Sequence, residues 1–309
     1  MAAPLLSIEN LRVDFPAVIA VNDLSLMVAA GEVCGLIGPN GAGKTTTMRA
    51  ICGLQEYTHG TVRVAGFDLA LQPHELKRHL GFMPDFCPVY ERLTATEFLD
   101  HFARASEVPN RAARIDECLQ LTMLTEKRDA LCAELSRGMR QRLVLAKTLI
   151  PDPQVLLLDE PASGLDPHGR IELRNLLLQL RAAGKAVVIS SHILTELSGF
   201  CNHAAIMERG RMVMSGTIAE LGQKVTRRRL SVKWRTNHPP GTPVLQVYAG
   251  VKSLVTSAEG ATFDFAGEGD ALDELLKTLI EQRVRVTEWR NLDDDLEQIF
   301  LQSGAKELM

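Results

Sequence analysis

A glycine-rich segment followed by a lysine and two threonines carries the strongest chemical signal in the sequence. Residues 38–46 read GPNGAGKTT, an apolar run precedes them, and a helix-like segment follows. Glycines let backbone N–H groups converge on phosphate oxygens, and the N-terminus of the next helix adds partial positive charge. The pattern G-x-x-x-x-G-K-[ST] in this context predicts a nucleotide phosphate loop. Lys44 is expected to reach the β- and γ-phosphates, and the Thr45 hydroxyl to ligate Mg²⁺. The candidate binding residues of the loop are Gly38, Pro39, Asn40, Gly41, Ala42, Gly43, Lys44, Thr45 and Thr46.

Two adjacent carboxylates end an apolar run farther along the chain. Residues 155–160 read VLLLDE, which predicts a buried strand that delivers Asp159 and Glu160 to its carboxyl end. Phosphoryl transfer depends mainly on positioning and charge neutralisation, so a metal-holding Asp159 and a water-polarising Glu160 are sufficient. A strand that ends in an acid capping the next helix is a common alternative. The upstream phosphate loop favours the catalytic interpretation.

Three more motifs follow in a fixed order. Leu135–Met139 reads LSRGM before a helix-like segment, Ser163–Pro167 reads SGLDP after the VLLLDE run, and His192 follows the apolar segment 186–189. This order resembles the ATP-binding subunits of ABC transporters over about residues 5–220. The form LSRGM, the tripeptide Met83-Pro84-Asp85 and the closing segment 296–301 (LEQIFL) resemble the subgroup that serves ABC-2-type exporters.

The resemblance implies roles for further residues. Phe15 matches the aromatic residue that stacks on adenine, with an ordinary core phenylalanine as the alternative. Ser136 and Gly138 match signature residues that contact the γ-phosphate bound by a partner subunit, and Asp166 matches the aspartate that bridges the two subunits. His192 matches the residue that senses the γ-phosphate and helps to hold the attacking water. The implied assembly is a head-to-tail dimer, of two copies or of a copy and a homologous subunit, that encloses two ATP molecules.

Two positions depart from the family pattern. Asp85 stands where the family usually has glutamine, and we hypothesise that it still reaches Mg²⁺ or its waters and keeps the coupling role. Arg137 stands in place of the first signature glycine, and its cationic side chain either opposes the helix dipole or faces phosphate. The loop 86–90 (FCPVY) has no helical or strand period, which fits a partner-binding patch or packing within a helical subdomain.

The pattern of apolar residues predicts an α/β protein of two domains. Alternating strand-like and helix-like segments over the first two thirds predict a largely parallel core. The resemblance implies a P-loop ABC ATPase domain over residues 1–222, with a mixed core sheet, an antiparallel β subdomain and a helical subdomain at roughly 85–150. Residues 223–309 predict a small accessory α+β domain. The predicted strands are 33–38, 155–158, 186–189, 204–207, 212–215, 230–234, 244–248 and 284–289, and the predicted helices are 45–52, 73–80, 94–105, 111–121, 136–150, 171–183, 271–282 and 292–302.

Composition limits the remaining possibilities. The chain has 309 residues, a net charge of −4 and six cysteines without C-x-x-C spacing. The balance of charge does not favour nucleic-acid binding, and the cysteines are expected to be reduced and mostly buried. No uncharged apolar stretch is long enough for a membrane helix, and the first residues do not read as a signal peptide. The run 227–229 (RRR) fits a solvated linker or contact with anionic lipid.

The expected function is therefore that of an ATP-hydrolysing subunit with ATP and Mg²⁺ as ligands. It is expected to dock on a separate multi-spanning membrane protein and to drive transport, with export favoured over import. It is expected at the cytoplasmic face of the membrane, without inserting into it. Two alternatives stay open: a non-transport ABC ATPase acting on DNA or ribosomes, and a regulatory protein that binds ATP without useful hydrolysis.

Overall fold

A computed structural model describes residues 4–86, 88–191, 197, 200–218, 220–221, 228–236, 240–265 and 269–291. The chain divides into two compact units, Met1–Thr217 and Ile218–Met309, whereas the sequence predicts the boundary after residue 222. Within the described ranges, no helix has both the length and the apolar character that crossing a membrane requires. The five cysteines in these ranges are free and buried, as predicted, and Cys87 lies outside them. Burial raises the pKa of the Cys34 thiol to about 12, which makes it unreactive.

The first unit contains two sheets and two groups of helices. Its strands are β1 Leu6–Phe15, β2 Val18–Val28, β3 Val33–Ile37, β4 His59–Val64, β5 Phe67–Asp68, β6 Leu80–Met83, β7 Val155–Asp159, β8 Ala186–Ser191, β9 His203–Glu208 and β10 Arg211–Thr217. Its helices are α1 Lys44–Ile51, α2 Pro73–Arg78, α3 Ala95–Ala105, α4 Arg111–Leu121, α5 Arg137–Leu149 and α6 Pro167–Ala182.

The core sheet runs in the order β10-β9-β3-β8-β7-β6. Its pairs are parallel except for β9 with β10, which form a hairpin around Arg209-Gly210. Every residue of β3, β7 and β8 is buried, which explains their uninterrupted apolar runs. Parallel pairing brings the carboxyl ends of these strands to one edge, where the phosphate loop and Asp159 lie.

Strand β6 is the one element of the core sheet that the sequence does not predict. Residues 73–80 are predicted as one helix, but the helix ends at Arg78 and Leu80 already begins the strand. The strand is four residues long, pairs with β7 only, and alternates in burial. Such a short edge strand lacks the continuous apolar run that marks the central strands.

The second sheet is antiparallel, in the order β2-β1-β4-β5, and is the β subdomain that the resemblance implies. Helices α3, α4 and α5 pack on one another and form the helical group. Helix α3 begins with a capping box in which Thr94 and Glu97 exchange side-chain and backbone hydrogen bonds. Phe98 of α3 is buried, as the helical spacing predicts.

The second unit is a small α+β domain, as expected. Its elements are β11 Arg228–Trp234, α7 Thr242–Val247, β12 Val251–Thr256, β13 Gly260–Phe265, α8 Gly269–Glu281 and β14 Val286–Asn291. The antiparallel sheet has the order β12-β13-β11-β14, which with the two helices gives a ferredoxin-like split βαβ arrangement.

One prediction in this unit is wrong. The segment 244–248 alternates in polarity and is predicted as a strand, but it lies in α7, where Pro243 sits in the first turn and Leu245 is the buried residue. Proline at the start of a helix is favourable because its missing N–H has no intrahelical partner there. Strands β12 and β13 are not predicted, and the predicted helix 292–302 lies outside the described residues.

Candidate functional site

The phosphate loop lies between β3 and α1 and depends on glycine at two positions. Gly43 precedes α1 with φ 103°, a left-handed conformation, and a Cβ there would lie 2.5 Å from the Ala20 carbonyl oxygen. A Cβ on Gly38 would lie 2.3 Å from the Met207 carbonyl oxygen. Both contacts are closer than atoms can approach, so only glycine allows the loop to wrap in this way. Asn40, Gly41 and Thr45 are exposed, Pro39, Gly43 and Thr46 are half-buried, and Gly38, Ala42 and Lys44 are buried.

Lys44 is buried inside the loop at 7% exposure. Its Nζ donates to the carbonyl oxygens of Gly38 at 2.6 Å and Pro39 at 3.2 Å. Burial lowers the pKa of Lys44, and the nearby carboxylates of Glu160 and Asp159 oppose that shift. The loop therefore holds a cation at its centre, where its carbonyl partners fix the ammonium group.

Thr45 and Asp159 form the contact that joins the loop to strand β7. Thr45 Oγ1 donates to Asp159 Oδ2 at 2.8 Å, and Ser190 Oγ of β8 donates to Asp159 Oδ1 at 2.5 Å. Asp159 is 1% exposed, so both carboxylate oxygens are oriented by neighbours. A threonine hydroxyl and an aspartate carboxylate are hard oxygen donors of the kind that suits Mg²⁺. The donor set therefore fits the predicted metal.

Glu160 directly follows the strand and has an unusual backbone conformation. Its φ is 48°, which is left-handed for a residue with a Cβ. Its backbone N–H donates to Ser190 Oγ at 2.9 Å. A left-handed backbone conformation is energetically unfavourable for a residue with a Cβ, and residues held in it concentrate at functional sites. Ser190 thus orients both carboxylate residues, although sequence reasoning did not select it; its signal is the first polar side chain after the apolar run of β8.

Phe15 lies at the end of β1 and is 40% exposed. The alternative that it is an ordinary core residue is therefore wrong. An aromatic ring that is exposed on a strand end can offer a face for stacking. His192, which follows β8, lies outside the described residues.

Ser136 of the signature motif (residues 135–139) and Asp166 of the SGLDP segment (residues 163–167, the D-loop) both begin helices. Ser136 Oγ accepts from the Met139 N–H at 3.3 Å at the start of α5, and Asp166 Oδ1 accepts from the Gly169 N–H at 2.9 Å at the start of α6. A Cβ on Gly138 would lie 3.6 Å from Leu165 Cδ2, so the two helix starts are side by side. These residues form a second cluster.

Arg137 does not point away from the protein at the start of α5. A Cβ on Gly164 would lie 2.6 Å from Arg137 Nε and 3.0 Å from its Cζ, so the guanidinium group lies against the D-loop. The sequence left the direction of this side chain open. The structure directs it to Gly164 of the same chain.

Asp85 lies in the bend after β6 and is exposed. Because β6 pairs in parallel with β7, Asp85 follows the same sheet edge as Asp159. With Phe86 and Arg137 it lines a cavity of about 550 Å³ between the loop after β6 and the start of α5. Phe86 is 82% exposed, and Tyr90 is half exposed while it stacks on Phe102. The loop thus combines an exposed apolar residue with one that packs on α3.

Comparison with known proteins shows which family this chain resembles. The sequence model described as ABC transporter matches residues 21–163. An uncharacterised ABC transporter ATP-binding protein, YhcH of Bacillus subtilis, is 32% identical over 300 residues, which cover 96% of this chain and 95% of the relative. This chain belongs to the ABC transporter ATP-binding proteins.

Other relatives agree with this assignment. The Nod factor export ATP-binding protein I of Ralstonia nicotianae is 30% identical over 99% of this chain and 96% of its own length. A solved ATP binding subunit of an ABC transporter superposes with a TM-score of 0.66 at 30% identity, over 71% of this chain and 92% of the other. The P-loop ABC ATPase fold and the ATP-binding role expected from the motifs are confirmed.

Proposed function

We propose that this ABC transporter subunit hydrolyses ATP and drives export through a separate multi-spanning membrane subunit, to which it binds from the cytoplasmic side. The observation that carries the proposal is the Thr45–Asp159 hydrogen bond of 2.8 Å beside the buried Lys44. It unites the phosphate-binding and hydrolytic residues within one chain. The name of the Ralstonia relative supports export as the direction.

ATP binding follows from the loop. Its backbone N–H groups and Lys44 hold the phosphates, and Phe15 stacks on adenine. Thr45 and Asp159 would hold Mg²⁺, which would neutralise charge on the phosphates. Glu160 accepts a hydrogen bond from the attacking water and polarises it as the water oxygen bonds to the γ-phosphorus and the bond to ADP breaks. His192 helps to orient that water.

The second cluster completes the site of another copy. Ser136 and Gly138 contact the γ-phosphate that a partner copy binds, and Asp166 bridges the two copies. The supporting observation is that Ser136 and Asp166 begin helices α5 and α6, and helix N-termini favour negative charge. A head-to-tail homodimer thus encloses two ATP molecules. ATP binding closes this dimer and hydrolysis opens it.

The loop that begins at Asp85 transmits this motion to the membrane subunit. Asp85 lies near the edge that carries the metal-binding residues, and Phe86 is exposed for contact. The cavity that Asp85 and Phe86 line also borders the start of α5, so the loop adjoins the second cluster.

The test is a co-purification from native membranes. The Glu160→Gln chain, tagged and extracted in mild detergent with ATP and Mg²⁺, is expected to retain a multi-spanning membrane protein, and Lys44→Ala to retain less of it. Reconstituted with the wild-type chain, that protein is expected to transport only while ATP is hydrolysed. Recovery of ribosomal or DNA-repair proteins, without a membrane protein, would contradict the proposal.

A further inference from the structure

Helices α5 and α6 are joined by an ion pair that none of the nucleotide-binding roles uses. The guanidinium group of Arg142 contacts Glu172 Oε2, as an ion pair without the alignment of a hydrogen bond. The two side chains are 22% and 13% exposed. His168 Nδ1 lies 2.9 Å from the other carboxylate oxygen of Glu172. The pair therefore connects the signature helix with the helix that follows the D-loop.

The surroundings of this pair are mainly apolar. Leu145 of α5, Leu173 of α6 and Leu165 just before α6 line the same junction, with a cavity of only about 20 Å³, the volume of roughly one water. Charges attract more strongly where water is largely excluded, and removing one partner leaves the other charge partly buried without its main partner. The junction thus resists sliding or separation of the two helices.

A second arginine fixes the same two segments at their exposed ends. The Arg137 guanidinium lies against Gly164, whose φ of 76° is left-handed. A side chain at Gly164 would displace Arg137, because its Cβ would lie 2.6 Å from Nε. Arg137 directly precedes Gly138, and Gly164 lies two residues before Asp166. This contact therefore lies between the two motifs that begin the helices.

We propose that Arg142 and Glu172, together with Arg137, are positioning residues that hold the signature motif and the D-loop as one rigid unit. The inference rests on the proposed dimer, in which both motifs approach the partner's nucleotide. With the junction intact, Ser136 and Asp166 engage that nucleotide site together. Without it, each chain still binds nucleotide in its own loop, but closure of the dimer is impaired.

Charge reversal tests this role. Arg142→Glu and Glu172→Arg are each expected to lower kcat by at least about tenfold, because each places like charges together at a partly buried site. The double variant is expected to recover most of kcat. Affinity for ADP, which lacks the γ-phosphate that the partner contacts, is expected to stay within about twofold in all three. The control is Arg128→Glu, which breaks an exposed pair with Asp116 in the helical group and is expected to change neither quantity.

A second readout separates positioning from general stability. In the Glu160→Gln background, ATP with Mg²⁺ is expected to dimerise the chain in sedimentation, the single reversals to weaken this dimerisation, and the double reversal to restore it. Arg142→Lys, which keeps the charge but lacks the planar fork, serves if a reversal prevents folding; its kcat is expected to fall at least about twofold with ADP affinity unchanged.

The outcomes distinguish a failure of the positioning role from a failure of the proposed dimer. Single reversals that leave kcat unchanged, a double variant no better than either single, or a parallel loss of ADP affinity would overturn the positioning role. An unchanged kcat for Arg142→Lys would overturn it as well. Failure of the otherwise unaltered Glu160→Gln chain to dimerise would instead contradict the proposed dimer.

Discussion

The two clusters of candidate site residues differ in what their polar atoms contact. In the first, Asp159 of β7 accepts hydrogen bonds from Thr45 of α1 and Ser190 of β8, and Lys44 donates to carbonyl oxygens of the phosphate loop. Lys44 and Asp159 are buried. In the second, within the described part of the chain, Ser136 and Asp166 accept side-chain hydrogen bonds only from N–H groups one turn along their own helices, at the surface. The first cluster is organised by the fold of one chain. The second presents helix starts whose proposed ligand comes with a partner.

The largest expected effect concerns Glu160, the proposed catalytic carboxylate, which directly follows Asp159 of the first cluster. Glu160→Gln keeps the size of the side chain but weakens its polarisation of water, so kcat is expected to fall about 100-fold or more, the usual contribution of a positioned base. ATP affinity is expected to stay within a few-fold, since the phosphates are held elsewhere. Phosphate release and ATP titration measure the two quantities. The matched control is Glu126→Gln, an exposed acid of the helical group, and equal losses in both variants would contradict the assignment.

The next effect concerns binding in the same cluster. Lys44→Ala removes the buried cation from the loop, and ATP affinity is expected to fall about 100-fold, because several charge-assisted bonds to phosphate are lost. Calorimetric titration of ATP measures the change. Lys127→Ala, at an exposed position, is the control for loss of a positive charge. Unchanged affinity in Lys44→Ala would mean that the loop does not bind the phosphates.

The second cluster has an internal control because two helices begin with a similar cap. Ser136→Ala and Thr94→Ala each remove an N-cap hydroxyl, so each is expected to lower the free energy of unfolding by about 1 kcal/mol. Only Ser136→Ala is expected to lower kcat, by about tenfold, while ADP affinity is retained in both. Thermal melts and turnover assays make the comparison. Equal kcat values for Ser136→Ala and Thr94→Ala would mean that Ser136 acts only as a helix cap.

The smallest effect concerns Asp85, which lies near both clusters. Asp85→Asn removes a negative charge, so ATP affinity without metal is expected to rise, and affinity with Mg²⁺ to fall, each by about threefold or less because the side chain is exposed. Titrations with and without Mg²⁺ at low salt measure both. If neither affinity shifts and transport is also unchanged, Asp85 does not keep the coupling role.

The difference between the clusters also explains what could be predicted from the sequence. The buried runs of β3, β7 and β8 and the loop between β3 and α1 follow directly from apolar patterning and glycine spacing. Contacts between residues far apart in the sequence do not follow from such local patterns. Ser190 bonds to Asp159 only because β8 pairs with β7 in a particular register, with Asp159 opposite Ser190. No local pattern encodes that register.

The same limit applies to the arginines of the second cluster. From the sequence, Arg142 is an ordinary polar position of a helix, and the direction of the Arg137 side chain is left open. Their contacts with Glu172 and Gly164 arise where α5 meets the start of α6. In the second unit, the segment 244–248 is misread because its alternation outweighs Pro243, the start signal of the helix. Local patterns therefore predict elements better than the junctions between them.

Complementation between two inactive chains tests the shared site most directly. Lys44→Ala disables a chain's own loop. Gly138→Asp places a negative charge where the partner's γ-phosphate is proposed to lie, and an acid at this helix start does not oppose folding. In a head-to-tail dimer of one chain of each kind, one site carries both changes and the other carries neither.

An equimolar mixture of the two variants is therefore expected to recover about a quarter of wild-type turnover, since half of the dimers are mixed and each has one intact site of two. Each variant alone is expected to be nearly inactive. Turnover that stays at the mean of the two single variants at every mixing ratio would contradict a site built from two chains.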